Sequence, residues 1–156
     1  MALTTRLKLS LLIMRLSIGA FLLVWASLKF YRPEWMGNVF RRTYKMTWLK
    51  KDVGFELLGV EFGFVEIAYA VGSLQVLIVL LFIAGLWRTP VYAIVTLMHG
   101  TGITGAALGG ALWRFTSYPQ NLLWTSVATL GALVALFILR RHDGYTIDGF
   151  RKRNSP

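Results

Sequence analysis

Four apolar runs dominate this chain, each close to the ~20 residues that an α-helix needs to cross hydrocarbon. They are about Leu11–Leu28, Val65–Leu86, Val91–Leu112 and Leu122–Leu139. A soluble helical core would carry polar faces at helical spacing on most of these runs, and they lack them. Hydrophobic residues make up 56% of the 156 and charged ones only 15%, where an ordinary soluble domain has ~25% charged. The expected fold is therefore an all-α membrane protein. It is read as an antiparallel four-transmembrane-helix bundle forming a single membrane domain over residues 1–156.

The polar stretches read as connections. Residues 34–51 place Trp35, Val39, Phe40, Tyr44 and Trp48 near one helix face, with Arg41, Arg42, Lys45, Lys50 and Lys51 mostly elsewhere. That pattern predicts an amphipathic interfacial helix in the first loop; a docking surface for a partner subunit would need the same pattern. The second and third runs are joined by the short turn GLWRTP, residues 85–90, with Pro90 suited to a helix start and Trp87 and Arg88 as interface anchors. Residues 140–156 form a basic tail, too short and polar to fold alone, either disordered or docked on a partner. At the other end Arg15 interrupts the first run and no clean cleavage site follows, so an uncleaved first span is expected.

Lysine and arginine number 17 against 7 acids, a net charge of +10. They lie in the loops and tails, where they meet anionic lipid headgroups; no nucleic-acid motif accompanies them. Because these cations divide evenly between the two ends of the runs, the positive-inside rule sets no orientation. Cysteine is absent, which excludes disulfide, thiol and iron–sulfur chemistry by this chain.

Candidate site residues cluster on the first three runs. Tyr92, Thr96 and His99 follow at helical spacing and make a polar stripe into the third run. The stripe is either a headgroup contact for a quinone or another lipid-soluble ligand, or an imidazole hydrogen-bonded to a neighbouring carbonyl or hydroxyl. Metal and haem are disfavoured, because no second histidine lies in the runs; neither a metal site nor a catalytic residue is expected. Gly102, Gly105 and Gly109 make a small-residue face for close helix packing. On the first run Arg15, Gly19, Leu22, Ala26 and Lys29 share a face, with the two charges about 21 Å apart. Glu66 opens the second run, where an antiparallel neighbour predicts an intramembrane ion pair with Lys29. Arg15 is a further embedded charge, either paired inside the bundle or snorkelling to its interface.

The stretches MRLSIGAFLLVWASLKF and VEIAYAVGSLQVLIVLLFIAGLWRTP resemble DoxX-like membrane proteins, on Arg15, Gly19, Lys29, Glu66, Gly72, Gly85 and Arg88. The likeness covers the first three runs, and the fourth by hydropathy alone. It implies a multi-pass protein of the prokaryotic inner membrane with its termini in the cytoplasm. It also implies a subunit associated with a membrane redox complex, in some members a quinone-linked one. The long basic first loop departs from the family's usual length. A non-catalytic structural accessory subunit of a larger membrane complex explains the glycines and basic loop equally well. A four-helix membrane transferase would show a run of Glu, Arg, His and Asn on its second helix, which is lacking; a transporter would show inverted repeats or broken helices.

Overall fold

The computed structural model describes residues 3–33, 55–57, 60–62, 64–108 and 123–154. Within these the chain is mostly helical: α1 (Leu3–Tyr31), α2 (Phe64–Ala84), α3 (Arg88–Leu108), α4 (Leu123–Leu139) and a short α5 (Ile147–Asn154). A small antiparallel hairpin, β1 (Phe55–Leu57) and β2 (Val60–Phe62), leads into α2, with Phe55 opposite Phe62. The interfacial helix expected at 34–51 lies outside the described residues, as do Gly109 and the loop that follows α3.

Among the described residues two helices are long and apolar enough to cross a membrane, Thr4–Tyr31 and Val65–Ala84. α4 is apolar but shorter. α1 runs well past both ends of its apolar run, since helical hydrogen bonds continue through the polar residues Thr4, Arg6 and Lys8. α3 begins at Arg88 and places Pro90 in its first turn, where a missing N–H is unpaired in any helix.

One stripe of α1 faces inward: Leu11, Arg15, Ile18, Leu22 and Ala26 are all buried. Leu11, Ile18 and Leu22 of this stripe share one core with Val79 and Phe82 of α2, Val91, Tyr92 and Val95 of α3, and Leu133 and Leu136 of α4. Two glycines set the approach of α1 to α2. A Cβ on Gly19 would overlap Ile83 Cγ1, and one on Gly72 would lie 3.1 Å from Lys29 Cβ and from the Phe30 ring. Residue 19 therefore meets 83 while residue 29 meets 72, so the two helices run in opposite directions. α3 and α4 do the same, with His99 beside Ser126 and Arg140 beside Thr89.

The outward faces of these helices are also apolar. Ile13, Val24, Leu74, Leu77, Leu80, Leu97 and Ile138 are exposed. On α1 to α4, apolar side chains thus stand on the outward faces as well as in the core.

Candidate functional site

Two polar constellations interrupt the apolar interior, one where the helices meet the chain's terminal segments and one deeper along α1 and α3.

The first is built around Arg15. Its side chain is 2% exposed, set in the middle of the inward stripe of α1. Nη1 donates to Asp143 Oδ2 at 2.7 Å and to Tyr92 Oη at 3.3 Å, and Nη2 donates to the Tyr145 carbonyl. The Tyr92 hydroxyl in turn donates to Asp143 Oδ2 at 2.6 Å. Asp143 is fully buried, and its Oδ1 and Arg15 Nε lack hydrogen-bond partners among the described residues. A second arginine holds the same segment: Arg88 Nη1 donates to the Arg140 and Asp143 carbonyls at 3.1 and 2.7 Å. The Arg88 backbone N–H, an unpaired donor at the start of α3, is capped by Asp148 Oδ2 at 3.0 Å. Thr146 caps α5 by accepting from Gly149 N at 2.9 Å. The tail thus folds back onto the helices, although the sequence suggested a segment either disordered or docked on a partner.

The second constellation is a cavity of about 200 Å³ between the helices. Trp25 and Lys29 from α1, Gln75 from α2, Met98 and His99 from α3 and Ser126 from α4 line it. His99 Nε2 lies 3.0 Å from the Ser126 carbonyl. A carbonyl only accepts, so Nε2 carries the proton, and Nδ1 is an acceptor in the neutral ring. Lys29 Nζ donates to the Trp25 carbonyl at 3.4 Å, one turn back on its own helix.

The expected stripe therefore divides. Tyr92 belongs to the Arg15 cluster, Thr96 donates to the Tyr92 carbonyl at 2.7 Å, and His99 alone lines the cavity. Gly102 lines it too, while Gly105 lies on α3.

The expected ion pair between Lys29 and Glu66 is not formed. Lys29 packs at the level of Gly72, about 9 Å further along α2 than Glu66, and Glu66 is exposed. Among the described residues the salt bridges are Arg15 to Asp143 and Arg88 to Asp148, the latter at 3.9 Å.

Asp143 and Asp148 were missed in the sequence, where one signal pointed to them. Of the 7 acids, Glu34, Asp52, Glu56 and Glu61 fall between the first two apolar runs and Glu66 opens the second. Arg15 sits towards the opposite end, where only Asp143 and Asp148 remain as carboxylate partners. No family model, curated protein or solved structure matches this chain.

Proposed function

We propose that the chain is a DoxX-like integral membrane subunit that holds the headgroup of a quinone beside a membrane redox enzyme. In this reading α1 to α4 all cross a prokaryotic inner membrane and both termini are cytoplasmic. The observation that carries the reading is the convergence of Lys29, Gln75 and His99, from three helices, on one cavity.

The outer faces support membrane insertion. Rows such as Leu74, Leu77 and Leu80 would present extended apolar surface to water, and lipid removes that penalty. α3 is about 31 Å long and α4 about 26 Å at helical rise, close to the ~30 Å hydrocarbon core.

A cavity of about 200 Å³ is below the ~300–1,000 Å³ of pockets that enclose a whole ligand. It suits a ring-sized headgroup whose apolar tail stays in lipid. The Lys29 ammonium and Gln75 amide supply donors for the two carbonyl oxygens of a quinone, and His99 Nδ1 supplies an acceptor for a hydroquinone hydroxyl. The chain would bind and orient the ring, and the electrons would come from a partner, since no cysteine is present to carry thiol redox chemistry.

Quinone should co-purify with the protein in mild detergent. Gln75→Leu should weaken its retention about ten-fold, the equivalent of one lost hydrogen bond at ~1.4 kcal/mol, with the melting curve unchanged. A lipid-stripped preparation that takes up no added quinone would sink the idea.

A specific feature also favours the structural accessory reading. On α4 Val127, Gly131, Val134 and Ile138 form one exposed stripe, and a Cβ on Gly131 would meet nothing within 4 Å. A second membrane helix could approach closely there. Gly131→Leu should then release partner subunits in a pull-down while leaving quinone retention intact; unaltered assembly would count against an accessory role through α4.

A further inference from the structure

On the face that carries the terminal segments, a depression of about 410 Å³ lies between the α2–α3 turn and α5. Its walls are Trp87, Arg88, Thr89, Pro90, Asp148 and Arg151. Arg88 forms one wall and is pinned from behind by the Arg140 and Asp143 carbonyls, so its guanidinium is held in place before any ligand arrives. Arg151, exposed on α5, lines it as well. The one carboxylate present, Asp148, already accepts the Arg88 N–H at 3.0 Å. Two guanidinium groups and one carboxylate thus line the depression.

Its rim is apolar. Trp87 is 66% exposed and sits at φ 46, a left-handed conformation that costs a bulky residue energy and turns the indole outward. Ile147 and Phe150 of α5 are exposed as well. A depression lined by two guanidinium groups and an exposed indole, beside a helix that exposes two apolar side chains, matches the boundary between headgroups and acyl chains, where tryptophan is enriched.

We propose that this depression binds the phosphodiester headgroup of an anionic phospholipid, with Arg88 and Arg151 on the phosphate, Thr89 as a hydroxyl donor and Trp87 against the glycerol and upper acyl chain. α5 then rests on the membrane surface through Ile147 and Phe150. Guanidinium pairs fit phosphate oxygens in a bidentate manner, and the phosphate of a soluble anion would satisfy them equally. The exposed Trp87, Ile147 and Phe150 select the lipid source. The proposal rests on the reading that α1 to α4 cross the membrane.

The test uses the full chain in phosphatidylcholine nanodiscs that contain a minority of phosphatidylglycerol, released into mild detergent for native mass spectrometry. Phosphatidylglycerol should be retained over phosphatidylcholine by about five-fold or more, the effect of one basic residue at an anionic surface. Arg151→Ala should remove most of that preference, whereas Arg6→Ala, an equal loss of charge on α1, should preserve it. Equal retention of the two lipids overturns the proposal, as does an equal fall in both variants, which would mean diffuse charge attraction. Displacement of the lipid by millimolar inorganic phosphate overturns it in favour of a free-anion site. Extraction of the protein from membranes by alkaline carbonate, measured separately, would show that the membrane reading had failed; retention in the carbonate pellet without lipid preference would mean that only the headgroup site had.

Discussion

Arg15→Ala lowers the stability of the folded chain by about 3–5 kcal/mol, the range for breaking a buried ion pair from one side. The reason lies in what is left behind. Asp143 is fully buried, and with the guanidinium gone its Oδ2 retains only the Tyr92 hydroxyl at 2.6 Å. The Tyr145 carbonyl loses its donor as well. A carboxylate stranded in this way must unfold the tail, take up a proton or draw in water. The pair itself is not optimally satisfied, because Arg15 Nε and Asp143 Oδ1 lack partners among the described residues. Removing both charges should therefore be much less harmful than removing one. In a double-mutant cycle of Arg15→Leu and Asp143→Leu, unfolding in detergent should show the double variant more stable than the Arg15 variant alone. Simple addition of the two losses would show that Arg15 acts through packing and not through Asp143. Limited proteolysis offers a local readout: cleavage between Arg140 and Asp148 should accelerate in the Arg15 variant before the helices themselves are cut.

Helical spacing made much of the interior legible. Leu22 and Ala26 were placed on the Arg15 face of the first run, and both are buried there with it. Gly19, on the edge of that face, fits against Ile83 with no room for a methyl group. An imidazole within an apolar run demands a partner, and His99 meets the Ser126 carbonyl while lining the cavity. Periodicity, however, describes one helix at a time and says nothing of how far one helix has slid along its neighbour. Lys29 and Glu66 looked matched because both stand at the ends of apolar runs, yet Gly72 sets the level at which α2 meets Lys29. The Arg15 partner is hidden for a different reason: it lies 128 residues away, in a tail whose five arginines and lysines mask two aspartates. Only sorting the acids by the end of the bundle they occupy would have exposed it.

Gly85→Ala should cost about 2–4 kcal/mol, from two sources that experiment can separate. Gly85 ends α2 at φ +67, a left-handed conformation that closes the helix and begins the turn into α3. Any residue with a Cβ is strained there by ~1–2 kcal/mol. The tail adds a steric term. A Cβ on Gly85 would lie 2.5 Å from Thr146 Cγ2, 2.6 Å from Thr146 Cβ and 2.8 Å from Arg15 Nη1. Thr146 is itself buried, capping α5, so it has little freedom to retreat. The turn and the tail are thus fitted to each other, and a methyl group at Gly85 also pushes against the Arg15 nitrogen that binds Asp143. Asparagine tolerates the left-handed region better than alanine but brings more atoms into the same space. If the steric term governs, Gly85→Asn melts lower than Gly85→Ala, and adding Thr146→Gly to Gly85→Ala restores part of the loss although Thr146→Gly alone destabilises. If instead asparagine melts higher than alanine and the Thr146 change restores nothing, the glycine serves the turn alone and the tail is not seated on it.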